Sequence, residues 1–220
     1  MSVARTIDTR DAPATLLPMP RRWLRLLRAA AVAVVAVVAP TASAGAAGLA
    51  NGDFDSNLAG WIPSGTPPAV WSTIDHAGNA ASGSAGLSNA EAQANARVYP
   101  LRQCIALAGP GTFVIEADGF LAAGHPGGRL VVSYGSHAAA DCSGGTGSAG
   151  GYFLQSNGAW THGTATIVMN AGINYLDVSL GIEKDAGAGL LEGNIDAVRV
   201  FDQDRIFANG FEAPDLAALP

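Results

Sequence analysis

Glu116 and Asp118, two residues apart, are the carboxylates in this sequence that come nearest to an acid/base couple. On an extended strand they would share one face, and paired carboxylates are what glycosidic cleavage uses. Adjacent acids on an open strand are equally an ordinary solvated pattern. Asp53 and Asp55 flank Phe54 in the stretch LANGDFDSNLAGW, where a turn and a metal site compete as readings. The histidines, His76, His125, His137 and His162, are scattered without a short-spaced ligand pair, and no G-x-S-x-G occurs. Neither a zinc site nor a nucleophilic triad is therefore indicated. GTGSAG, Gly145 to Gly150, satisfies G-x-G-x-x-G, but no strand ends at it and no amphipathic helix follows, so it is accidental. The chemistry these residues favour is binding, not catalysis.

The context of those residues is set by the ends of the chain. Arg21, Arg22, Arg25 and Arg28 precede an unbroken Ala/Val run, Ala29 to Ala39, and then Pro40 and Ala42-Ser43-Ala44. The run is shorter than the ~20 apolar residues a bilayer span needs, and the small residues form a cleavage pattern, so residues 1–44 are expected to be a signal peptide. Met19 is an alternative start, cleavage after Ala46 an alternative end, and Arg21-Arg22 leaves twin-arginine export open beside the general route. The expected mature chain has 176 residues, with six basic against sixteen acidic side chains and a formal charge of −10. That charge disfavours nucleic acid as a partner. Export to the periplasm or the extracellular space is expected. There the pair Cys104 and Cys142 reads as one disulfide, with two buried thiols as the alternative. Closing that loop would stabilise the fold by roughly 4 kcal/mol.

The elements that must position these residues are strands. Tyr175 to Glu183 alternates strictly, with Leu176, Val178, Leu180 and Ile182 on one face. Gly111 to Phe120 places Phe113, Ile115 and Ala117 opposite Glu116 and Asp118. Further strands are expected at Val98 to Leu107, Arg129 to Tyr134, Gly151 to Gln155, Thr161 to Met169 and Asn194 to Phe201, separated by Gly- and Pro-rich turns. No window carries a helical stripe. The expected fold is all-β, an antiparallel β-sandwich or jelly roll over residues 45–205, followed by a tail at 206–220.

Four stretches in order, NGDFDSNLAGW, QCIALAGPGTFVIEADG, GAWTHGTATIVMNAG and NIDAVRV, resemble carbohydrate-binding modules of the 4/9/22 group over about Leu49 to Phe201. The resemblance implies a galactose-binding-like sandwich that binds polysaccharide or a surface glycan without catalysis, as a monomer. It also implies a structural calcium near the junction of the first and last strands, for which Asp53, Asp55 and Asp196 are the candidates; an Asx turn and a solvated strand end are the alternatives. Candidate sugar contacts are the rings of Trp71, Tyr134 and Tyr175 for stacking, with Asp177, Glu116, Asp118 or Gln155 bonding to hydroxyls. Tyr152 is a further ring of the same kind, and rim packing is the alternative for each. Trp61 and Trp160 are expected in the core. Two features depart from the module pattern: the cysteine pair and the closing RIFANGFE. Alternatives to sugar binding are an envelope or matrix structural or adhesive domain and, third, a polysaccharide hydrolase.

Overall fold

The computed structural model describes residues 48–203 apart from 145 and 188, so the expected leader and tail lie outside the described residues. Ten strands run β1 Ile62–Pro63, β2 Val70–Ser72, β3 Ser84–Asn89, β4 Arg97–Ala106, β5 Gly111–Leu121, β6 Gly128–His137, β7 Ala149–Leu154, β8 Thr161–Met169, β9 Tyr175–Lys184 and β10 Leu191–Asp202. They form two five-stranded sheets, β1-β4-β9-β6-β7 and β2-β3-β10-β5-β8, antiparallel at every pairing. The fold is therefore the expected β-sandwich.

The inner faces supply one core. From the first sheet come Leu101, Ile105, Leu130, Val132 and the four alternating residues of β9; from the second come Leu87, Phe113, Ile115, Leu121, Ile167, Ile195 and Val200. At roughly 25 cal/mol per Å² of apolar surface removed from water, these alternating faces are what drives the two sheets together. The Cys104–Cys142 disulfide ties β4 to the loop after β6, both of the first sheet, across a sequence separation of 38.

The opening stretch proves to be a turn. Asn51 and Phe54 both adopt left-handed backbone, and the turn drives Phe54 fully into the core against Trp61. Gly52 is required because a β-carbon there would lie 2.0 Å from the Val198 carbonyl oxygen; its own carbonyl accepts from Val198 N–H at 2.9 Å. Val198 sits in an irregularity of β10, where the register passes from Asp196 opposite Asp118 to Arg199 opposite Glu116. Ala197 and Val198 of β10 thus oppose the single residue Ala117 of β5, a β-bulge. With the extra residue absorbed, Asp196 and Arg199 both project outward instead of to opposite faces.

Candidate functional site

On the outer face of the first sheet, strand register assembles a row that no local motif announces. Arg97 of β4 and Arg129 of β6 flank Glu183 of β9 as direct cross-strand partners. Arg97 donates to Glu183 Oε2 through Nε and Nη2, and Arg129 donates to Oε1 from Nε at 2.9 Å and from Nη2 at 2.5 Å. The Glu183 side chain is only 5% exposed. Burial pushes its carboxyl upward, but hydrogen bonds from Arg97 and Arg129 outweigh that cost and hold it below the ordinary glutamate value. Arg97 in turn is pushed upward, first by its bond to the Tyr99 hydroxyl and then by Glu183.

Beside this row lies a flat apolar strip. Tyr99 falls in the register break of β4 between Val98 and Leu101, and its ring lies over Gly181. A β-carbon at Gly181 would stand 2.6 Å from Tyr99 Cδ1, so glycine is what lets the ring lie flat on the sheet. Val131 continues the strip to Phe153 on β7, which is 43% exposed. The guanidinium carbons of Arg97 and Arg129 lie 5.1 and 3.7 Å from the Phe153 ring centroid, within cation–π range. Val131 itself is only 2% exposed, so what this face offers to a ligand is the Phe153 ring and the half-buried Tyr99, with fixed polar groups beside them; such rings and polar edges can stack on sugar rings and bond to their substituents.

The outer face of the second sheet is acidic. His76 Nδ1 lies 3.2 Å from Asp196 Oδ2, and His162 Nδ1 lies 3.1 Å from Asp118 Oδ1. Arg199 reaches Asp53 at 3.2 Å and Glu116 at 3.7 Å. Glu116 is thus engaged by Arg199 and Asp118 by the His162 ring, and the two stand side by side on one strand, not opposed across a cleft. The same sheet carries a groove of about 560 Å³ whose lining includes Pro67, Pro68, Ile74, Phe120, Glu192 and Asn194. Trp160, expected in the core, belongs to this outer cluster: it packs on Phe120 at 5.5 Å and edge-on to His76 at 6.2 Å. Phe120 alternates outward on β5, so the tryptophan that covers it must stand outside the core.

The residues anticipated as sugar contacts do not share a surface. Tyr175 and Asp177 are on the outer face of the first sheet, and Glu116 is on the outer face of the second. Tyr134 pairs with Val178 and packs against the core, because β6 enters through the unalternating run Leu130-Val131-Val132 and its parity places position 134 inward. Trp71 pairs with buried Ala85 on the inward side of an edge strand, and its Nε1 donates to the Phe54 carbonyl at 2.7 Å. Asp177 has one oxygen, Oδ1, buried without a partner, while Oδ2 accepts from Ser179 at 3.1 Å. Tyr152 likewise buries its hydroxyl, which burial pushes up. The candidate face draws instead on Arg97, Tyr99, Arg129, Phe153 and Glu183, which sequence reasoning passed over; the only sequence signal was the outward position of Glu183 on the alternating β9.

The three aspartates expected around calcium are likewise distributed. Asp53 pairs with Arg199, Asp55 accepts from the Ser82 hydroxyl at 3.2 Å, and Asp196 is fully buried. Asp196 groups instead with Asp75 and His76, ligand atoms within 4.8 Å of one another. Both Asp196 oxygens already accept N–H groups, Oδ1 from Ala197 at 2.7 Å and Oδ2 from His76 at 3.0 Å. Calcium takes six to eight oxygens, and this set of one further carboxylate and an imidazole does not fit it.

Comparison with solved structures finds the same β-sandwich fold in proteins of low sequence identity, a carbohydrate-binding module among them. The N-terminal CBM22-1–CBM22-2 tandem domain of Xyn10C from Paenibacillus barcinonensis matches at a TM-score of 0.50 and 18% identity, over 74% of this chain and 51% of that one. The enzymatically active domain of tailspike protein 4 of bacteriophage CBA120 matches at 0.52 and 15% identity, over 70% and 21%. The arabinose-bound α-L-arabinofuranosidase MgGH51 matches at 0.50 and 13%, over 70% and 26%. No protein-family model and no curated protein sequence matches the chain.

Proposed function

We propose that this chain is a secreted, non-catalytic polysaccharide-binding protein whose ligand lies across the outer face of the first sheet. The observation that carries this reading is the flat strip of Tyr99, Gly181, Val131 and Phe153 bordered by the Arg97–Glu183–Arg129 row. A sugar chain laid on the strip stacks its C–H faces on the rings and meets fixed donors along one side. The likeness of the fold to a CBM22 tandem domain supports the same reading. The Ala/Val leader and the disulfide support export. Among the described residues no helix is long and apolar enough to cross a membrane.

Catalysis on this face is disfavoured by geometry. Glu183 is held ionised by two arginines, and the other carboxylate on this face, Asp177, is six residues away on the same strand, about 20 Å at the usual rise. Glycosidase pairs stand about 5 to 9.5 Å apart. The test is affinity electrophoresis of the full-length protein through gels containing plant, fungal and bacterial polysaccharides, with a reducing-sugar assay on each. Retardation without release of reducing ends is the expected result. Absence of retardation on every polysaccharide moves the reading to a structural or adhesive domain. Release of reducing ends that Glu116→Gln abolishes moves it to a hydrolase.

A further inference from the structure

The two outer faces carry opposite charge, and that asymmetry names a ligand class. Five Lys and Arg residues fall among the described residues. Lys184 is fully buried, with Nζ donating to the carbonyls of Glu91, Gly187 and Gly189 at 2.6 to 2.9 Å. Arg199 is committed to Asp53 and Glu116 on the acidic sheet. The remaining three, Arg97, Arg102 and Arg129, all project from the outer face of the first sheet. Arg102 is exposed and has no hydrogen-bond or ion-pair partner among the described residues, and Ser179, its cross-strand neighbour, brings no charge. Glu183 cancels one of the charges in its row, and Asp177, two residues from Ser179 on the same face, cancels a second, so these groups leave the face one net positive charge. In a chain this acidic, a face of net positive charge beside the exposed Phe153 ring is a specific electrostatic feature, not an average property of the surface.

From this we infer that the polysaccharide taken by this face is a uronate polymer, a chain bearing carboxylates, and that Arg102 together with the Arg97/Arg129 row reads those carboxylates. The inference rests on the sugar-binding reading above. Its chemistry has a precedent within the site: Arg97 and Arg129 already hold a carboxylate, Glu183, along one edge, and the guanidinium fork matches the two oxygens of a planar carboxylate. Ser179 and Glu183 are four residues apart on β9, so Arg102 stands about 13 Å along the sheet from the Arg97/Arg129 row. That is longer than one sugar ring, so an oligomer and not a single uronic acid engages both ends. The acidic second sheet repels the same polymer and confines it to the first.

The experiment is calorimetric titration of the full-length protein with galacturonate, neutral galactan and sulfated galactan oligosaccharides of matched length, at about 0.02 M and about 0.3 M salt. Galacturonate should bind at least about tenfold more tightly than neutral galactan at low salt, and the advantage should shrink at high salt. Arg102→Gln, a partnerless exposed side chain, should keep its melting temperature and lose about fivefold in galacturonate affinity with neutral affinity unchanged. Equal affinity for neutral and uronate chains, unaffected by Arg102→Gln, overturns the inference and leaves the sugar-binding reading standing. Preference for the sulfated chain overturns the choice of carboxylate. Failure of all three oligosaccharides to bind overturns the inference together with the reading beneath it.

Discussion

Replacing Glu183 with glutamine separates two effects that coincide in the native protein, a buried charge and its two cationic neighbours. Glutamine keeps the shape and one carbonyl acceptor, so packing under the strip is preserved. What is lost is the charge on hydrogen bonds from Arg97 and Arg129 to a side chain that is 5% exposed. Hydrogen bonds to charged groups contribute about 1.5 to 3 kcal/mol each. The arginines themselves are 37% and 31% exposed, and water solvates them when the carboxylate is gone, so the net loss is about 2 kcal/mol. For a domain of this size that corresponds to a fall of roughly 4 to 8 °C in the unfolding midpoint.

The pH dependence gives the sign. Glu183 titrates lower in the folded state than the ordinary 4.5. Its stabilisation is therefore complete above that value and is lost as pH falls through the folded value. The gap between native protein and Glu183→Gln should be constant from pH 8 to about pH 5 and close on further acidification. Differential scanning calorimetry across that range reads it. A variant as stable as the native protein at pH 7 would refute the argument, because it would mean that desolvation of the carboxylate cancels what the arginines return.

The remaining perturbations distinguish packing from binding. Phe153→Ala removes the exposed ring and should weaken polysaccharide retention in affinity gels by about fivefold to tenfold with little change in stability. Trp71→Ala should do the reverse, lowering stability by about 2 kcal/mol in denaturant titration through loss of the bond to Phe54 and of packing, with affinity per folded molecule unchanged. Reducing the Cys104–Cys142 bridge should cost roughly 4 kcal/mol, read as a shift in the denaturant midpoint, and two thiols alkylated without reductant would contradict the pairing. Excess calcium and chelator should give the same melting curve for metal-stripped protein; a higher midpoint in calcium would restore an ion site that the arrangement around Asp196 does not supply.

By itself the sequence determined the fold class, because period two is a local property. β9 could be read from Leu176, Val178, Leu180 and Ile182, and β8 was bounded correctly at Thr161–Met169. The disulfide followed from an even cysteine pair in a chain whose leader reads as an export signal. The opening stretch was legible as a turn because Asn and Gly favour the backbone it needs. Strands β2 and β3 escaped because they are short or built from small residues such as Ser84-Ala85-Gly86, whose alternation carries little hydrophobic contrast. Everything that required parity or register was left to the tertiary structure. The run Leu130-Val131-Val132 does not say which face is inward, so Tyr134 was placed on the wrong side until β6 paired with β9. The bulge at Ala197 turned Asp196 and Arg199 to the same face, and the 73–83 connection brought His76 to Asp196 in place of Asp53 and Asp55. The proposed binding strip is the extreme case: Arg97, Arg129, Phe153 and Glu183 come from four strands and become neighbours only because antiparallel register aligns them, and a linear sequence holds no record of which strand will lie beside which.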